Sequence, residues 1–359
     1  MTAIGCALPA NVVSQAEAAS LAAEFIHDER RRGLVEGLYR RTGVRQRSVV
    51  VPDGAQQAAA APAQRFFAPA QQPDDRGPTT AERMQYYEAH APALAELACR
   101  RALGRTDVEA SQITHLVTVS CTGMAAPGVD LELVQRLDLP AGVARSHIGF
   151  MGCHGMLNSL RVARGFAQAD PTARVLVSSV ELCSLHLQYT SDPQQIVANA
   201  LFADGAAATV VQAAQPGQTG WTLVAQGSQI VPETADLMSW RIRDHGFEMT
   251  LSPRIPDVIA AQLKPWLSQW LQSSGYRLQD IRNWAIHPGG PRILRACAEA
   301  VGFDPKLLEP SRSVLAEHGN MSSATVLFIL ERLRSMSAEG PCVLLAFGPG
   351  LTIEAALLV

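Results

Sequence analysis

Lysine, paired cysteine and long apolar runs are scarce in this sequence of 359 residues. Of 30 basic residues only Lys264 and Lys306 are lysine. With so much alanine, that bias reads as a GC-rich coding sequence and says little about function. The basic residues are outnumbered by 33 acidic ones, so the net charge is −3 and the pI about 6.3. That balance argues against a general nucleic-acid or polyanion binder. The seven cysteines (Cys6, Cys99, Cys121, Cys153, Cys183, Cys297, Cys342) are scattered, odd in number and never spaced CxxC. This speaks against a disulfide framework or a zinc site and for a reducing cytoplasm. Charge-free runs such as Ala110 to Val129 are broken by Gly, Pro, Ser and Thr, so no membrane span is expected. The opening MTAIGCALPANVV has no basic segment ahead of its apolar run, so no secretory signal is read.

What is present is an ordinary globular mixture, 47% hydrophobic and 18% charged, enough for a large core. The length predicts two domains or one large α/β unit. Residues 3–8 read as a short strand, 14–27 as a helix and 49–51 as a β-branched run. Residues 52–78, rich in Ala, Gln and Pro, read as an irregular loop. A helix restarts at Thr79, where Thr79-x-x-Glu82 fits a capping box, and runs to about Leu103. Strands, Gly-rich turns and helices then alternate. Strands are predicted at 115–119, 175–179, 206–211, 284–286, 343–346 and 351–359. That alternation predicts α/β layers.

The two halves of the chain echo each other. QITHLVTVSCTG (112–123) aligns with DIRNWAIHPGGP (280–291), and GFMGCHGMLNSL falls near AEHGNMSSATVL at almost the same offset. Two segments sharing one offset point to a duplicated βαβ-type unit. A pseudo-twofold axis would then gather the Cys153 turn, the Asn320 turn and the His287 loop at one centre.

Cys153 sits in Gly-Phe-Met-Gly-Cys-His-Gly ahead of an apolar helix. A helix N-terminus lowers a thiol pKa and offers N–H groups to an oxyanion. The plainer alternative is a small buried core cysteine. His287 follows an apolar strand and precedes Pro-Gly-Gly-Pro, a rigid setting for an acid/base partner of a thiolate; a capping or surface histidine is the alternative. Asn320, in His-Gly-Asn-Met-Ser-Ser, is either a helix N-cap or an amide donor toward an oxyanion or enolate.

The motifs GFMGCHG, WAIHPGGPRIL, EHGNMSSATVLF and AFGPGLTIE together resemble the type III polyketide synthases, the chalcone-synthase-like family, over nearly the whole chain. The resemblance implies a thiolase-like αβαβα layered fold from two duplicated halves, here 1–213 carrying the nucleophilic cysteine and 214–359 carrying the histidine and asparagine. It implies a homodimer, CoA thioesters as small-molecule partners, and Cys153, His287 and Asn320 as catalytic triad. The implied reaction is iterative decarboxylative condensation of an acyl-CoA starter with malonyl-CoA, without metal or redox cofactor. A ketoacyl-ACP synthase III-like enzyme making a single extension is the alternative.

Phe202 matches a family gatekeeper, and Met249 stands where a second gatekeeper Phe is usual. Cys121, His186 and Trp240 fall at pocket positions where plant members carry mostly smaller or different residues, as does Met124. These departures favour an aliphatic starter. Arg41 and Arg45, within YRRTGVRQR, are the expected CoA-phosphate contacts, with Arg292 a further candidate. His154, where plant members have Phe, receives no catalytic role.

Overall fold

A computed structural model describes residues 1, 3–26, 29–51, 66–214 and 220–359, without the side chains of 29–31. Residues 52–65 of the predicted loop, and His27 at the end of the first predicted helix, lie outside the described residues; residues 66–78 carry no helix or strand.

The first half opens with β1 (Ala3–Ala7), β2 (Asn11–Ser14), α1 (Gln15–Glu24), α2 (Glu29–Arg41) and β3 (Gln46–Val49). It continues through α3 (Thr80–Leu103), β4 (His115–Ser120), α4 (Val129–Arg136), β5 (Ala144–Gly149), α5 (Gly155–Ala169), β6 (Arg174–Leu182), α6 (Pro193–Leu201) and β7 (Asp204–Gln212). The capping box at Thr79 is formed: Glu82 accepts the Thr79 N–H at 2.7 Å while the Thr79 hydroxyl accepts the Glu82 N–H at 3.3 Å. Helix α3 then carries Pro92 in its interior.

The second half adds β8 (Leu223–Ile230), a hairpin β9 (Met238–Arg243) and β10 (Gly246–Leu251), then α7 (Ile255–Ser273), β11 (Asn283–Ile286) and α8 (Pro291–Val301). It ends with α9 (Glu309–His318), α10 (Thr325–Ser335), β12 (Cys342–Gly348) and β13 (Thr352–Leu358).

The strand orders are β1-β7-β6-β4-β5 and β8-β13-β12-β11. In each, the first βαβ pair is parallel (β4–β6 and β11–β12) and the next two pairings are antiparallel. The echo seen in the sequence is therefore an echo of topology. Strand β5 is extra to the first sheet.

Three core clusters separate five layers. One packs α3 and α4 on the outer face of the first sheet, one packs α7 and α8 on the outer face of the second, and one fills the middle around α5 and α10. Helix α10 is buried at every position from Thr325 to Leu330, as a helix sandwiched between sheets must be. Each of its leucines and isoleucines contributes roughly 1.5–3 kcal/mol by leaving water. The layering is αβαβα, as expected.

Close approach of layers imposes glycine at Gly5: a Cβ there would overlap the Ala98 carbonyl oxygen on α3. Gly5→Ala is expected to lower stability by about 3 kcal/mol in urea denaturation, since backbone cannot step aside. Gly33→Ala, in α2 with no atom within 4 Å, is expected to be neutral or to stabilise by about 0.5–1 kcal/mol.

Candidate active site

Cys153 lies in a tight 3₁₀ turn, Gly152–His154, between β5 and α5. Two left-handed residues, Phe150 (φ 55°) and Gly152 (φ 70°), bend the chain into it. Glycine at 152 is obligatory twice over, because a Cβ would also lie 2.7 Å from Pro349 Cδ. At Gly155 a Cβ would meet Val119 of β4 at 2.9 Å, so the helix starts hard against the sheet. The glycines of GFMGCHG thus bring the thiol-bearing turn against the end of β4.

The thiol is 7% exposed. Burial pushes its pKa up to about 12, against which the Ser322 and Asn320 side chains favour the thiolate. This corrects the expected lowering by the helix N-terminus: desolvation outweighs the dipole.

Asn320 comes from the other half. Its backbone N–H donates to Leu201 O at 2.8 Å, and its carbonyl accepts the Ala203 N–H at 2.9 Å, so it bridges Phe202 at the end of α6. Its Oδ1 accepts the Ser322 N–H at 2.8 Å. The oxygen caps the turn before α10, and the amide N–H groups are left for the Cys153 sulfur.

His287 follows β11, its backbone N–H donating to Leu345 O at 2.8 Å. It is buried, and neither ring nitrogen has a hydrogen-bond partner among the described residues. Burial pushes its pKa down to about 3, and the nearby His154 imidazole acts in the same direction. Burial thus favours the neutral form of each group over the expected thiolate–imidazolium pair. A buried imidazole with two open valences is poised to bind something that arrives.

Cys153 faces a chamber of about 20 Å³ lined also by Cys121, Ser322, Met238 and Pro349. Phe202, Trp240, Met249 and Cys183 form its far wall and are shared with an apolar cavity of about 70 Å³ beyond. Trp240 and Met249 are direct cross-strand partners on the β9–β10 hairpin. Trp240 is anchored by its indole N–H on Cys121 O at 2.7 Å.

His186 lines the outer cavity rather than the chamber. Its Nε2 donates to Thr122 O at 2.6 Å, its Nδ1 accepts the Phe247 N–H at 3.0 Å, and burial pushes its pKa down to about 3. Both nitrogens are occupied, so it is a neutral clamp and not an acid/base. Cys121 lies 3.2 Å from Ser322 Oγ and 3.4 Å from Glu181 Oε1.

Arg41 and Arg292 line an open cleft of about 430 Å³ with Gly289, Gly290 and Leu251. Arg45 does not line it, but pairs with Glu317 at 3.7 Å. Arg47, from the same basic segment, is buried: its guanidinium donates to the carbonyls of Asn199, Ala200 and Phe202 and to Gln15, which fixes the end of α6.

Sequence reasoning overlooked Glu181, Ser322 and Arg47. Glu181 lies in the buried strand β6 and accepts from Cys121 N–H, Thr122 and Ser323; burial raises its pKa. A lone carboxylate in such a strand was the available signal. Among the described residues no cluster of His, Cys, Asp or Glu could hold a metal ion.

The N-terminal and C-terminal domain profiles of chalcone and stilbene synthases match residues 1–216 and 222–359. The chain belongs to this family, the type III polyketide synthases. Its members are acyltransferases working on CoA thioesters, and this chain is such an enzyme. It is 32% identical to the Mycobacterium tuberculosis alpha-pyrone synthesis polyketide synthase-like Pks18 over 97% of this chain and 88% of the relative. It is 38% identical to the 1,3,6,8-tetrahydroxynaphthalene synthase of Streptomyces peucetius over 74% of this chain and 72% of that one. Among solved structures it superimposes on PKS-I of the brown alga Ectocarpus siliculosus with TM-score 0.92, at 28% identity and covering 99% and 96% of the two chains. The family relationship carries the thiolase-like fold. No helix among the described residues is long and apolar enough to cross a membrane.

Asp204, at the start of β7, ties the cavity wall together by accepting Val50 N–H at 2.8 Å and Ser184 N–H at 2.7 Å. Burial raises its pKa to about 6. A carboxyl raised above its unfolded value, roughly 3.9, favours the fold below that value and loses the benefit as pH rises through the folded one. Unfolding free energy is therefore expected to fall by about 2–3 kcal/mol between pH 4 and 6.5 from this group, and Asp204→Asn to flatten that slope in urea titrations.

Proposed function

We propose that this chain is an iterative polyketide synthase that loads an aliphatic acyl-CoA on Cys153 and extends it with malonyl-CoA, releasing a pyrone or a resorcinol-type phenolic product. The observation that carries this reading is the apolar cavity directly behind the Cys153 chamber, lined by Val13, Ala18, Leu21, Val49, Val51 and Phe67. Such a lining suits an alkyl chain better than a hydroxylated ring. The likeness to a relative named for alpha-pyrone synthesis supports it.

In the proposed cycle the Cys153 thiol gives its proton to a free nitrogen of His287 as sulfur attacks the starter thioester. CoA then leaves as the thiol, carrying that proton. Malonyl-CoA breaks its C–CO₂ bond, and the electron pair remains as an enolate with charge on the thioester oxygen. The Asn320 amide and the His287 N–H donate to that oxygen, each worth roughly 3 kcal/mol of barrier. The enolate carbon attacks the Cys153 thioester, a C–C bond forms and the cysteine sulfur leaves. The extended chain returns from CoA to Cys153 for the next round. Acyl-CoA and malonyl-CoA are substrates, and the cycle balances without a cofactor. Asn320, being uncharged, does not repel the enolate as Asp would.

Arg41 and Arg292 receive the CoA phosphates at the cleft mouth. We take the working unit to be a homodimer: β5 leaves a sheet edge unpaired, with Phe150, Met151 and Met124 exposed. The unpaired cysteines suit the cytoplasm.

The test is incubation with malonyl-CoA and acyl-CoAs from acetyl to palmitoyl, read by mass spectrometry. Aliphatic starters are expected to yield polyketides, and Cys153→Ala none. Asn320→Ala is expected to cut malonyl-CoA decarboxylation by about 10²–10³ while sparing starter loading. Trp240→Ala, which opens the wall, is expected to favour longer starters. Extension only when malonate is carrier-bound would instead make it a single-round ketoacyl-ACP synthase.

A further inference from the structure

His154 follows the nucleophile, is 4% exposed, and has no part in the cycle above. It does not line the chamber, although its neighbours Gly152 and Cys153 do. Its ring points instead toward the turn between β12 and β13. There Nδ1 lies 2.6 Å from Asn158 Oδ1, one turn along α5, and Nε2 lies 2.6 Å from Thr352 Oγ1 at the start of β13. A neutral imidazole satisfies both partners, with Nδ1–H donating to Asn158 and the Thr352 hydroxyl donating to Nε2. Burial favours that neutral form, while Glu354 on β13 and Arg161 on α5, paired with each other at 2.5 Å, act on it in opposite directions.

The fit around the ring is tight. A Cβ on Gly348 would overlap the imidazole, so the Ala-Phe-Gly-Pro-Gly turn leaves a slot that the ring occupies. The next residue, Pro349, packs on Gly152 and lines the chamber beside Cys153. The Pro349 carbonyl, 3.2 Å from Thr352 Oγ1, shares the hydroxyl proton with Nε2. The ring therefore joins the nucleophile's helix to a turn that forms the roof of the nucleophile's chamber.

We propose that His154 is a positioning residue, a latch that holds the Gly348–Thr352 turn down on Cys153 through Thr352 and thereby keeps the thiol buried and aligned. It acts through the turn and not on substrate, since both its nitrogens are taken and neither faces the chamber. A chamber of about 20 Å³ survives only while its roof stays in place. Releasing the roof admits water and small reagents to sulfur and loosens the geometry that turnover requires.

The test compares His154→Phe, Thr352→Val and Thr352→Ser with the wild type. The first readout is the rate of Cys153 alkylation by iodoacetamide, followed by peptide mass spectrometry. This arm needs no substrate, so it is independent of the polyketide synthase reading on which the second arm rests. The second readout is kcat and KM for malonyl-CoA decarboxylation. His154→Phe keeps a ring of similar size but loses both bonds; Thr352→Val keeps the volume and loses the hydroxyl; Thr352→Ser keeps the hydroxyl.

Both bond-breaking variants are expected to alkylate about fivefold faster or more. Their kcat should fall about tenfold with KM little changed, because the CoA cleft lies elsewhere. Thr352→Ser is expected to behave as the wild type. A structural filler would show no such opposite movement of thiol access and turnover, and no rescue by serine. If His154→Phe does not fold, the two Thr352 variants decide. Folded Thr352→Val with wild-type alkylation would overturn the latch. Faster alkylation in a protein that makes no polyketide from any CoA substrate would uphold the latch and overturn the function.

Discussion

Desolvation is the constraint on which this site depends. Cys153 and His287 are both removed from water, and burial drives the thiol pKa up and the imidazole pKa down, which favours the neutral form of each. Charge can appear at little cost only when the two charges form together and when donors already stand where the negative one develops. The surroundings meet that condition. Asn320 and Ser322 face the sulfur, and His287 keeps both nitrogens open. A solvent-exposed cysteine of the same sequence would need none of this support.

Bringing such groups together is the work of the duplicated fold. The thiol stands at the head of α5 and Asn320 just before α10, the two helices of the middle layer. Each helix begins in a turn held by glycine or by a side-chain cap, which fixes where its first residues stand. Arg47 extends the same logic. By gathering the carbonyls at the end of α6 it steadies Leu201 to Ala203, the segment bridged to Asn320. One buried arginine thus connects Phe202 with Asn320.

The chamber's size is set on other grounds. Trp240 and Met249 face each other across a short hairpin, and the indole is pinned to the Cys121 carbonyl. His186 pins the neighbouring carbonyl of Thr122 and stacks on Phe247 at 4.1 Å. Polar side chains here serve as struts. A histidine and a tryptophan near an active site invite a chemical role, yet both have spent their hydrogen bonds on backbone.

Motif spacing and strand–helix alternation by themselves determined the layered α/β class, the internal echo and the helix capped at Thr79, and they singled out Cys153, His287 and Asn320 as candidates. Local rules suffice for these, because glycine turns, caps and apolar periodicity act over a few residues. The β9–β10 hairpin was not foreseen, since its strands mix Arg and Glu with apolar positions and are held by tertiary contacts such as Trp240 on the Cys121 carbonyl and Phe247 on His186. The charge states of Cys153, His287 and His186 were misjudged or unreadable for a similar reason. A helix dipole is visible in sequence, whereas burial sums contributions from strands and helices far apart in the chain. Tertiary structure alone decided which basic residues line the cleft, with Arg41 and Arg292 there, Arg45 beside Glu317 and Arg47 turned inward. All four are plain arginines in the sequence, and only the folded surface says which of them meets water.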